Sequence, residues 1–158
     1  MRATVLLSIL LSLAACAPDA TQLVVVVDTN IAVPAQMSGV EVLVQGAEYS
    51  PPGKQSFQLT AADELPFSFG VAGGSDPSLP LTIDVSAING AIVMQTRRAT
   101  VRLVEGKTVV LPMYLHSDCV ADVGQMCELG QTCVEGACQP DTVDVGTLKT
   151  IESGGQEF

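Results

Sequence analysis

An all-β sandwich carrying a small disulfide-stapled tail is the fold class this sequence predicts, and three observations predict it. Short apolar runs rich in Val, Ile and Leu recur between Gln22 and His116, separated by Gly, Pro and Asn clusters. Their apolar residues repeat with a period of two, the spacing that puts side chains on one face of a strand. Four cysteines then fall close together, at 119, 127, 133 and 138, after the apolar periodicity stops. Branched side chains suit a pleated, half-buried surface, which favours strands over helices here.

Taken in order, Gln22–Val27 is a β-branched run of strand length, consistent with a strand buried on both faces. Asp28, Asn30 and Pro34 break it. Val40, Val42 and Val44 then share a face of a second strand, and Tyr49-Ser50-Pro51-Pro52-Gly53 reads as a loop. Phe57 and Leu59 mark a short strand in Gln55–Thr60. Leu65, Phe67, Phe69 and Val71 mark another, which Pro66 confines to a sheet edge or a strand start. Leu79, Leu81, Ile83, Val85 and Ala87 alternate with polar residues. Asn89-Gly90 follows, suited to a two-residue turn, and Ala91–Thr96 runs back as the partner strand. A second hairpin is expected from Thr100–Val104 and Thr108–Leu115, turning at Glu105-Gly106. About eight short strands with Gly and Pro turns argue for a β-sandwich. In size, 22–116 resembles an immunoglobulin-like or transthyretin-like domain, although the chain has no Trp and no cysteine pair inside this segment. Such a likeness of architecture carries no function.

The first sixteen residues form a separate signal. Arg2 precedes an apolar stretch that closes on Leu13-Ala14-Ala15-Cys16. A short cation, a short apolar core and small residues make a secretory signal, and the core is shorter than the ~20 residues a permanent spanning helix needs. The last four residues resemble the lipobox of bacterial lipoproteins. That resemblance implies removal of 1–15, a lipid on the thiol of Cys16 and attachment to the membrane. Ala17 in place of Asp resembles the Gram-negative pattern for the outer membrane. The cysteine count agrees: the chain has five, and assigning Cys16 to lipid leaves an even set. Several acyl chains anchor stably, at about 0.8 kcal/mol per buried methylene.

Cys119, Cys127, Cys133 and Cys138 are separated by seven, five and four residues, with no C-x2-C pair for a zinc site. Too few residues lie between them to bury a core, so disulfides are expected to hold the segment. Three pairings exist and spacing does not choose; the interleaved one, Cys119–Cys133 with Cys127–Cys138, ties the segment into one knot and is favoured here. The run Cys127–Cys138 resembles the C-x2-G-x-T-C-x2-G-x-C tails of uncharacterised Gram-negative lipoproteins, some of which carry an upstream strand-rich domain opening on a valine run. The resemblance brings no assigned chemistry with it. The expected organisation is thus a lipoprotein signal peptide in 1–15, a lipidated tether in 16–21, a β-sandwich in 22–116, a cysteine-rich module in 117–140 and a disordered terminus in 141–158.

Seventeen Asp and Glu against seven Lys and Arg give a formal charge of −10. Such a surface repels nucleic acid, so no nucleic-acid partner is expected. His116 is the one histidine, at a strand end, and no G-x-S-x-G elbow, H-E-x-x-H or phosphate-binding glycine loop accompanies it. Asp63-Glu64 fit a loop better than a paired-carboxylate site. Asp28-Thr29-Asn30 or Asp118 with Asp122 offer oxygen ligands, but neither has calcium-loop spacing. Arg97, Arg98 and Arg102 are expected on an exposed strand face, paired with acids. No cofactor and no metal is expected. The functional expectation is a non-enzymatic lipoprotein of the bacterial envelope, its sandwich serving as a structural or protein-interaction module for an envelope protein. The alternative is a secreted enzyme inhibitor or enzyme that uses the disulfide tail as a rigid presenting loop.

Overall fold

The computed structural model describes residues 20–120 and 127–151. Ten strands form within them. One sheet runs β10 (Lys149–Ile151), β7 (Thr108–Leu115), β1 (Gln22–Thr29), β4 (Phe67–Ala72). The other runs β3 (Tyr49–Gln58), β2 (Gly39–Gly46), β5 (Leu81–Asn89), β6 (Ile92–Val101). A hairpin of β8 (Gln131–Val134) and β9 (Ala137–Pro140) stands apart. The all-β sandwich with a disulfide-held tail is therefore the fold. In a constant-type immunoglobulin domain the third strand leaves the second for the opposite sheet. Here β3 stays paired with β2, and β1 lies parallel to β7. The strand order is thus not that of a constant-type immunoglobulin domain.

The core is the interleaved inner faces of both sheets. Leu23, Val25 and Val27 of β1 and Val109, Leu111, Met113 and Leu115 of β7 meet Val40, Val42, Ile83, Val85, Ala87, Ala99 and Val101 of the opposite sheet, all buried. Burying each Val, Leu, Ile or Met among them contributes about 1.5–3 kcal/mol, so this alternation is what specifies the register. Val24 and Val26 are only half-buried on the outer face of β1. That strand is thus fully buried on one face rather than two, because among the described residues no second layer packs over its outer side as the inner faces pack on one another.

Four local expectations are corrected. Tyr49–Gly53 is not a loop but the first half of β3; Pro51 and Pro52 fall where the β2–β3 register shifts between Val44 and Gly46 and have no partner on β2, and the other side of β3 is a sheet edge. The β5–β6 turn places Gly90 and Ala91 at its centre, since Asn89 pairs with Ile92. Only Gly90 has positive φ, +61°, the glycine-first geometry of a type II′ turn. A register shift beside Ala87 follows, and it turns Gln95 inward instead of a hydrophobic residue. The second expected hairpin does not form. Thr100 and Val101 end β6, the chain crosses through buried Leu103, and β7 joins the opposite sheet beside β1. Burial of Val101, Leu103 and alternate residues of β7 satisfies the same pattern without pairing the two segments.

The fourth correction concerns 141–158. Residues 141–151 are part of the fold, not a disordered terminus. Thr100 N–H donates to Asp141 O at 2.7 Å and Val143 N–H to Thr100 O at 2.9 Å, extending the edge of β6. Val145 is buried in the core, and β10 then pairs with β7, placing Ile151 opposite Thr108. Gln22 faces the same Thr108 from the other side, so β1 begins and β10 ends at one pole of the sandwich. Weak apolar patterning hid this segment: one buried valine and three edge residues carry its docking.

Candidate functional site

The cysteine segment is where the tail meets the sandwich. Cys119 is bonded to Cys133 and Cys127 to Cys138, the interleaved pairing. The β8–β9 hairpin between them turns through Glu135 and Gly136, at φ 50° and 79°. A glycine is the natural occupant at 136, and a Cβ there would stand 3.2 Å from that of Asp118. The hairpin is clamped to β6. Arg98 N–H donates to the hydroxyl of Thr132 at 2.8 Å, and Thr132 is buried by the contact. Asp141 N–H returns to Gly130 O at 3.0 Å, closing the far end. Together 117–120 and 127–151 strap the side of the sandwich between β6 and β7.

What this strap presents is an apolar point. Leu129 lies in the turn entering β8 and is 98 % exposed, between the half-buried Cys127 and the clamped Gly130. A leucine left wholly in water on a covalently braced turn is unlike a singly scattered surface apolar group on a loose loop, because its position is fixed in advance of any contact. At the pole away from Gln22, Ile92 and Val93 are also exposed, 66 % and 51 %. Beside them a cleft of about 340 Å³ is lined by Ile31, Ala35, Met94 and Val120.

The polar candidates are used as clasps. At the end of β7, His116 Nε2 lies 3.2 Å from the amide nitrogen of Asn30, whose oxygen accepts from Ser117 N–H at 2.7 Å. On the other side of the ring, Nδ1 accepts from Asp118 N–H at 3.2 Å and lies 3.5 Å from an Asp118 carboxylate oxygen. The partner at Nε2 is an amide, not a hydroxyl to be activated. The buried amide of Gln95 reaches the main chain of the same His116, at 3.0 and 3.1 Å in the orientation that satisfies both groups. No signal in the sequence marks Gln95; it is found only from the register shift that turns it inward.

The arginines do not share one exposed face. Arg97 points inward, half-buried, and donates to Tyr114 O at 2.8 Å; burial lowers its pKa and Glu135 opposes that. Arg98 pairs with Asp84 on the outer face of the second sheet, and Arg102 donates to Ser78 O at 2.8 Å. Glu64 accepts from Thr60, N–H and hydroxyl, within its turn. Asp28 accepts from Thr29 N–H at 2.8 Å. Among the described residues no three His, Cys, Asp or Glu side chains are placed to hold a metal ion, and no helix is long and apolar enough to cross a membrane. Cys16, Asp122 and the lipobox lie outside the described residues.

Comparison with protein-family models, with curated proteins and with solved structures finds no match to this chain.

Proposed function

We propose that the chain is a non-enzymatic lipoprotein of the bacterial envelope, held at the outer membrane by a lipid on Cys16, whose β-sandwich and braced tail form a protein-interaction module. The Leu13-Ala14-Ala15-Cys16 motif supports the anchor, and Gln22, the first residue of β1, follows Cys16 closely enough to keep one pole of the sandwich at the bilayer. The observation that carries the interaction role is the clamped turn holding Leu129 in water: an apolar group on a pre-ordered element docks without the cost of ordering it first. The test is mass spectrometry of the mature N-terminal peptide, which gains acyl mass on Cys16 in the wild type and none in Cys16→Ser, paired with envelope capture by wild type and Leu129→Asp. A soluble product with a free Cys16, or an unchanged set of captured proteins in Leu129→Asp, ends this reading.

The same turn favours one second reading. A disulfide-flanked apolar residue presented outward is also how a rigid loop enters an enzyme's cleft, so the tail could serve a secreted inhibitor. Inhibition of a hydrolase lost in Leu129→Asp, with Cys16 unacylated, selects it.

A further inference from the structure

The four outer edges of the two sheets are not equally protected. Exposed strand edges offer unpaired N–H and C=O groups to other chains, and proteins block them with Pro, charge, shortness or a covering segment. β3 carries Pro51, Pro52 and Lys54. The edge of β6 is covered by Thr132, Asp141 and Val143. β10 has three residues and Lys149. β4, Phe67-Ser68-Phe69-Gly70-Val71-Ala72, follows Pro66 but holds no Pro or charge within it, and among the described residues no segment covers it.

Its hydrogen-bond parity can be read directly. Gly73 N–H donates to Thr21 O, so residues 73, 71, 69 and 67 face β1. Ser68, Gly70 and Ala72 therefore direct their main-chain groups to the free side, and their small side chains leave that backbone open. Ala72 O is taken by the Tyr49 hydroxyl at 2.7 Å. Among the described residues the free-side groups of Ser68 and Gly70 have no partner.

We infer that β4 pairs antiparallel with β4 of a second copy of this chain, about a two-fold axis at Phe69. In that register Ser68 faces Gly70 of the other copy and Gly70 faces Ser68. This makes four main-chain hydrogen bonds, with the two Phe69 rings in the closer, non-hydrogen-bonded pair between them. The register uses the groups left open and none already engaged. Charge favours a second copy as the occupant: the chain is strongly acidic, yet β4 holds no charge, and Lys54 is the sole charged residue lining the adjoining groove of about 310 Å³. Two copies meet here without acid against acid. Half-buried Phe57 and Phe67, with Phe57 4.8 Å from Phe67 and 6.4 Å from Phe69, line the same side and gain cover.

The pairing names a partner for the interaction module proposed above and rests on that reading only for its role. An unacylated chain can still pair and an acylated one can fail to, so the two fail separately. The experiment places photoreactive benzoylphenylalanine at position 68 of the full chain in cells, with position 150 on β10 as the control site. Ultraviolet light is expected to give an adduct of twice the chain mass from position 68, mapping to 68–72 of the second copy, and none from 150. Gly70→Pro and Gly70→Asp each lower its yield at least tenfold while keeping the wild-type far-ultraviolet circular dichroism. Absence of the adduct, a mass other than twice the chain, or equal yield in a folded Gly70 variant overturns the inference.

Discussion

Arg98 and Asp84 face each other across β6 and β5, the guanidinium donating to both carboxylate oxygens at 2.7 and 2.8 Å. The hydrogen bonds to Asp84 raise the Arg98 pKa, and Asp141 adds to the attraction. Asp84 is buried while Arg98 is partly open to water, so the two halves of the pair are not equivalent. Removing the cation strands a buried anion, which costs far more than a surface pair is worth.

Arg98→Met is accordingly expected to lower stability by about 2–3 kcal/mol, the order of a charge-assisted hydrogen-bonded pair left half-satisfied. Asp84→Leu with Arg98→Met should cost clearly less than the two single changes summed. A double-mutant cycle by urea unfolding measures the coupling, and additivity within about 0.5 kcal/mol would show the pair is not coupled.

The Cys119–Cys133 bond closes a loop of 14 residues. Replacing both cysteines by Ala is expected to cost about 3 kcal/mol, the loop-closure figure for this length. The loss is visible as a lower melting temperature that reducing agent no longer shifts further through this bond.

Val145 joins the core from the strap, so Val145→Ala should cost about 1–2 kcal/mol and Val145→Asp should release β10 from β7. Amide exchange at Thr108 and Val110 reports that release. Unchanged protection in Val145→Asp would show that β10 docks without its plug.

Glu48 and Glu64 should titrate below the ordinary glutamate value of 4.5, because the Ser75 hydroxyl and N–H donate to Glu48 and the Thr60 hydroxyl and N–H to Glu64. A folded pKa below the unfolded one gives stability that is complete above the unfolded value. It is lost as pH falls through the folded value, so both contributions disappear on the acid side of 4.5. Carboxyl chemical shifts followed by NMR check the order, and Ser75→Ala should return Glu48 toward the ordinary value.

The strands with uniform alternation were legible from residues alone: β2, β5 and β7 lie where Val40–Val44, Leu81–Ala87 and Val109–Leu115 place them. Pairing was less legible, since Val101 and Leu103 bury equally well whether β6 and β7 form a hairpin or cross between sheets. β3 was obscured because Pro51 and Pro52 signal a loop unless the strand is known to be at an edge. The strap was obscured most. Its attachment rests on main-chain bonds at Thr100 and along β10, on the Thr132 hydroxyl and on one buried valine, and none of these leaves a periodic trace. The cysteine spacing announced a stapled segment, whereas the exposure of Leu129 follows from the clamp at Thr132 and Gly130, which only three dimensions reveal.

Thr108 stands between Gln22 and Ile151, so the first and last strands of the sandwich leave its floor side by side. A pull between those two points loads the short β10–β7 ladder across its strands at its open end, and its bonds break in succession rather than together. Under tension the seam fails like a zip: the last strand lifts away first, while the β1 ladder with β4 and β7 stays whole.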